Sequence, residues 1–296
     1  MITIHKGHAM RTSWKLFLLP LLILPAVALT SCGGNPTPPA STPYTGLTGN
    51  WALAGDRATS TYPAISAALT LNGNQINAIA DIAVPCARLL DPLVSILNVP
   101  VALTGTLASD GTFTLTEPPL PVQLPLQVTL QGNSQTTGWG GTYAIASTAA
   151  LTGCTIVSPS NGSFTAKAIP PLNGTYIGSA TFFSSPGGNL YAATVNAQLT
   201  QGGANGSPGS TGYFPLSGTI TVQSVPCFTH GATAANATTG EISGDFFTVQ
   251  FTMDDGSTLL MGGEMTDFTG ATLQATYIVS GGNCNGMIGN GSAVLH

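Results

Sequence analysis

The feature that most constrains this chain is an internal duplication. Five short stretches recur, in the same order, in its two halves. "LTGNWALAG" at 47 aligns with "LNGTYIGSA" at 172, and "AVPCA" at 83 with "SVPCF" at 224. "ALTGTL" at 102 aligns with "EISGDF" at 241. "GTYAIASTAALTGC", ending at Cys154, aligns with "GATLQATYIVSGGNC", ending at Cys284. Asn161-Gly162-Ser163 and Asn290-Gly291-Ser292 follow. Self-similarity of this kind means one structural unit used twice. The units are predicted at 47–169 and 172–296, joined at Ile169-Pro170-Pro171-Leu172, and each is expected to fold separately.

Within each unit the apolar residues alternate. Phe247, Val249, Phe251 and Met253 are separated by Thr248, Gln250 and Thr252. Ile220 and Val222 alternate with threonines, as do Phe113 and Leu115. Period two marks strands with one buried and one wet face, the pattern of antiparallel sheets. Asn72-Gly73, Asp110-Gly111, Asp255-Gly256 and Asn290-Gly291 read as turns between them. The predicted fold class is all-β: two tandem antiparallel domains, each a meander barrel or a sandwich of about seven or eight strands. Gly49-Asn50-Trp51 at the first strand resembles the Gly-x-Trp start of lipocalins. That resemblance implies an outline and carries no function.

The N-terminal region reads as an export signal. Lys6, Arg11 and Lys15 precede an uncharged apolar run, Leu16 to Leu29. A run that short fits a signal h-region, since a spanning helix needs about 20 residues. Met1 or Met10 can serve as the start. The run ends at Leu29-Thr30-Ser31-Cys32, which resembles the lipobox of bacterial lipoproteins. The resemblance implies that residues 1–31 are removed and that Cys32 carries lipid, which makes a membrane the first partner. Gly33 in place of aspartate points toward the outer membrane, on the periplasmic or the surface side. Residues 32–46, with Pro36, Pro38, Pro39 and Pro43, form a lipidated flexible tether. Prolines favour extended chain at about 3.1 Å per residue. The Gly-rich strand style also resembles uncharacterised secreted β lipoproteins of bacteria.

With Cys32 assigned to lipid, four of the five cysteines remain. An exported chain meets an oxidising compartment, so disulfides are the leading reading and buried free thiols the alternative. Three pairings are open to four cysteines. The duplication selects Cys86–Cys154 and Cys227–Cys284, one bridge per unit.

Beyond residue 31 only Arg57, Arg88 and Lys167 are strong cations, against all 11 acidic residues, a formal charge of −8. No basic face for nucleic acid can be built from these. Catalytic and metal motifs are equally sparse. The two remaining histidines are His230 and His296, and neither a His-Glu-x-x-His nor a Gly-x-Ser-x-Gly stretch occurs. Cys227-Phe228-Thr229-His230 has a metal-like spacing that its counterpart Cys86-Ala87-Arg88-Leu89 lacks. Asp245, Asp254, Asp255, Glu264 and Asp267 bunch in the second unit. Paired carboxylates can serve a glycosidase or bind calcium, but Asp254-Asp255-Gly256 also reads as a plain turn. No cofactor and no metal site is expected. Trp51 and Trp139 read as core residues, with sugar stacking the alternative.

One segment separates the repeats. After Cys86 the first unit runs "ARLLDPLVSILNVP", whereas the second is small and polar. Asp91-Pro92 can start a helix, and Leu93, Ile96 and Leu97 would then share a face. The segment is predicted to be a short helix that caps its barrel, docks on the second unit, or forms an apolar lid or contact. The function that follows from these residues is that of a non-catalytic envelope lipoprotein, a structural, display or interaction module. A binder of a small apolar ligand inside a barrel is the alternative, and a carbohydrate-active enzyme the third.

Overall fold

The structure is a computed structural model. It describes residues 46–54, 64–85, 96–118, 126–135, 138–147, 160–184, 188–203, 212–226, 228, 237–266 and 268–296. Every regular element among them is a strand.

The first unit holds β1 (Gly49–Ala54), β2 (Ala64–Asn72), β3 (Gln75–Pro85), β4 (Ile96–Leu107), β5 (Thr112–Thr116), β6 (Leu126–Gln135), β7 (Gly138–Ser147), β8 (Ser160–Thr165) and β9 (Lys167–Ile169). Each of β1 to β8 pairs antiparallel with the next, and β9 returns to pair with β1. Only Ala166 separates β8 from β9. One bent strand therefore carries the sheet back to its start, and the barrel is nearly closed. The second unit holds β10 (Asn173–Phe183), β11 (Leu190–Gln201), β12 (Phe214–Gln223), β13 (Ala237–Ser243), β14 (Phe246–Thr252), β15 (Thr258–Met265), β16 (Thr272–Ser280) and β17 (Ile288–Leu295). These form a closed eight-strand barrel, with β17 paired along β10. Barrels, not sandwiches, are what the alternation produces. Both barrels belong to one compact unit, Ala40–His296.

The duplicated stretches fall on equivalent strands. "LTGNWALAG" and "LNGTYIGSA" supply β1 and β10, and the cysteine-terminated stretches contain β7 and β16. A barrel of eight strands has an interior just wide enough to be filled by side chains. Trp51, Phe113, Trp139 and Phe164 fill the first with Leu69, Leu103 and Leu130. Tyr176, Phe182, Phe247, Phe251 and Tyr277 fill the second.

Two expectations are corrected. Asn290-Gly291 is no turn: both residues lie within β17, opposite Thr181 and Ala180. A Cβ on Gly291 would stand 2.2 Å from the Ser179 carbonyl oxygen, so close strand approach selects glycine there. The other three turns form as expected, with positive φ at Gly73, Gly111 and Gly256. The second correction concerns the helix. Ile96 and Leu97 open β4, opposite Pro85 and Val84, and Asn98, Val99 and Pro100 continue the strand. A preformed edge on β3 offers a ladder of partners that outweighs a local helix start. Leu93 and the rest of 86–95 lie outside the described residues.

Candidate functional site

β2 and β3 break the alternation. Ala64 through Thr70 are all buried, as are Ala78 through Ile82. Ala67 and Leu69 point into the first barrel, which leaves Ser66, Ala68 and Thr70 outside and yet covered. Asn50 and Ala52 on β1 and Ile79 and Asp81 on β3 are covered in the same way. The second barrel covers them: Ala52 and Ala68 belong to the apolar cluster of Ile242, Phe247 and Phe214. The two barrels are thus joined across a buried face.

The joint centres on the turn between β13 and β14. Ser243, Gly244 and Asp245 reach the outer face of the first barrel. The Gly244 N–H donates to Asn50 Oδ1 at 3.0 Å. Ser66 Oγ donates to Asp245 Oδ1 at 2.5 Å and accepts from the Asp245 N–H at 3.2 Å. In return Ser243 Oγ is hydrogen-bonded to Asp81 Oδ2 and lies 3.2 Å from the Ile79 carbonyl oxygen. Each barrel therefore offers a serine to an aspartate of the other. Gly244 is required by shape as well as by φ (+57°), because a Cβ would meet Ser66 Oγ at 2.1 Å.

Burial sets the electrostatics, and neighbouring carboxylates add to it. Burial pushes the Asp81 carboxyl up to about 8; the Ser243 hydrogen bond opposes this, and the charges of Asp245 and Glu241 add to it. Burial likewise raises Asp245 to about 6, against its bond to Ser66 and with help from Glu264. Tyr213 rises to about 12, through burial and then the Asp81 and Glu241 charges. A cavity of about 170 Å³ lies beside these groups, lined by Asp81, Asn98, Pro100, Tyr213, Glu241 and Phe246 among others.

The acidic residues singled out in the sequence do not form one site. Asp245 and Glu264 lie at one end of the β14–β15 hairpin, and Asp254 and Asp255 at the other. Asp255 is a turn residue, accepting from the Ser257 N–H at 2.9 Å and its hydroxyl at 2.6 Å. Asp267 and His230 lie outside the described residues, as do Cys32, Cys86, Cys154 and Cys227; Cys284 is buried. No group of three or more metal-ligating side chains occurs among the described residues. Trp51 and Trp139 are core residues in edge-to-face contact, 5.5 Å between centroids.

Asp81 was not singled out in the sequence, although a signal for it exists. "AISAALTL" and "INAIADIAV" are almost continuously apolar where a wet-faced strand alternates. Adjacent strands of that kind are covered on both faces. A lone aspartate among them then stands in an interface.

A second feature lies on the outside of the second barrel. Leu190, Phe183, Ile288 and Ile278 stand side by side across β11, β10, β17 and β16. Leu190 is 72% exposed and Ile278 43%. Compared with known protein families and with curated proteins, the sequence matches none.

Proposed function

We propose that the protein is a non-catalytic module of the bacterial cell envelope, held to a membrane by lipid on Cys32. The observation that carries this reading is the pairing of a lipobox-like leader with two barrels whose interiors are occupied by their own side chains. A carrier of small apolar ligands needs a hollow interior, and aromatic clusters such as Trp51–Trp139–Phe164 occupy that space here. The cavity beside Asp81 and Glu241, at about 170 Å³, is smaller than the roughly 300–1,000 Å³ of ordinary ligand sites. Asp81 turns its carboxyl to Ser243 across the joint, not toward a sugar ring. The apolar row from Leu190 to Ile278 supports an interaction role over a purely structural one, since exposed contiguous apolar surface marks contact sites.

In this reading the tether holds the joined barrels off the lipid, and the outer membrane is the proposed address. The bridges are proposed as Cys86–Cys154 and Cys227–Cys284. Val225 and Phe228, on either side of Cys227, share the buried cluster of Cys284, which supports the second bridge. The test is a Cys32→Ser variant. The wild type is expected in the membrane fraction with acyl mass on its N-terminal peptide, and the variant in the soluble fraction. A mature wild-type chain without acyl mass overturns the reading.

A further inference from the structure

We propose that the joint between the barrels is a proton-operated latch, closed by Asp81 as a neutral carboxylic acid and loosened when that acid ionises. The geometry of Ser243 carries the inference. Its hydroxyl has one hydrogen and two neighbouring acceptors, Asp81 Oδ2 and the Ile79 carbonyl oxygen. An ionised Asp81 would hold its buried charge on that single hydrogen and draw it away from Ile79, whose carbonyl would keep only its bond within the sheet. A protonated Asp81 satisfies both: its O–H donates to Ser243 Oγ, and Ser243 O–H donates to Ile79. Asp245 differs, because Ser66 donates to its carboxylate and accepts from its backbone N–H, an arrangement that suits the ionised form.

The surroundings agree with the geometry. Asp245 faces Asp81 from the β13–β14 turn, Glu241 from β13, and Tyr213 from the chain before β12. Asn98 and Pro100 on β4 add no charge. Lys167 on β9, exposed, is the only lysine or arginine among the described residues. Ionisation therefore places a negative charge in a buried, acidic environment with no cation among the described residues to meet it. The cavity beside Asp81 gives water a route to the group. The raised titration of Asp81 has the same sense.

The test follows hydrogen exchange at the Gly244 N–H, which spans the joint, in the mature chain between pH 6 and 9.5. After correction for base catalysis, its opening equilibrium is expected to rise about tenfold per pH unit below the Asp81 titration, where opening releases one proton, and to level off above it. Asp81→Asn keeps a donor toward Ser243 and cannot ionise, so its opening is expected to stay flat. A flat wild type, or an Asp81→Asn variant with the wild-type slope, overturns the latch. Should that variant fail to fold, the ¹³C titration of the Asp81 carboxyl in the wild type decides. A midpoint above 7 supports the proposal, and one near the ordinary value of about 4 overturns it.

Discussion

Trp51 and Trp139 look alike in the sequence and differ in the structure. The Trp51 indole N–H donates to the Leu47 carbonyl oxygen at 2.8 Å. Trp139 Nε1 is buried with no hydrogen-bond partner among the described residues, while its ring meets Trp51, Phe113 and Phe164. Removing an unpaired buried donor relieves a desolvation cost, whereas removing a paired one orphans its acceptor. Trp139→Phe is therefore expected to cost less stability than Trp51→Phe in urea denaturation. Trp139→Ala, which empties the centre of the cluster, is expected to cost about 3–5 kcal/mol. Equal losses for the two phenylalanine variants would mean that the hydrogen bond at Trp51 contributes nothing. The placement of both rings in the core was legible from the ordinary tendency of tryptophan to fill a core. Which indole finds a partner was not, because that depends on where the chain before β1 passes.

Among the elements, β1, β2 and β3 do two jobs. Their inner faces fill one barrel and their outer faces meet another. Small outer residues, Ala52, Ser66 and Ala68, make the approach possible. Ala68→Leu is expected to destabilise by about 1–3 kcal/mol through overpacking. Ala144→Leu on the exposed face of β7 is expected to be near neutral. Denaturant midpoints of the two variants check the contrast, and equal values would show that the outer face of β2 is not packed in solution. The same strands explain what sequence reading caught and missed. Strict alternation revealed β5, β12 and β14 directly. The segment at Ile96 and Leu97 carried the i, i+1 and i−3 spacing of a helix, and only the free edge of β3 drew it into a strand. The Asn290-Gly291 pair has the composition of a turn, and only closure of the barrel against β10 places it within β17.

For the whole molecule, the joint predicts cooperativity and an unusual response to pH. A shared buried face with hydrogen bonds in both directions should make the barrels unfold together. Calorimetry of the mature chain is expected to show one transition near pH 5, and two resolved transitions there would refute the coupling. The pH response follows from Asp81 and Asp245, whose carboxyls are raised to about 8 and about 6 in the folded chain. A carboxyl raised above its unfolded value, about 3.9, holds its proton more tightly when folded. The stability this provides is complete below about pH 4 and is lost as pH climbs through 6 and then 8. The transition temperature is thus expected to fall between pH 5 and pH 9, and a rise over that interval would contradict the assignment of both groups. Non-reducing peptide mapping addresses the covalent frame: Cys86 joined to Cys154 and Cys227 to Cys284 is expected, and a link such as Cys86–Cys284 would contradict it.

The sequence by itself determined that the chain is all-β, that it forms two tandem units, and which face of most strands is inside. Those properties are local or periodic. Alternation depends on the pleat, and duplication is visible by comparison of the chain with itself. Tertiary structure alone decided that the second barrel closes and the first nearly does, that the strand after Cys86 begins at Ile96, and that Asp81, Ser243, Ser66 and Asp245 meet. Ser66 and Asp245 are 179 residues apart along the chain. No pattern within either unit encodes such a contact, because it exists only when two finished barrels present their outer faces to each other, and the energy that selects it is the burial of that shared surface.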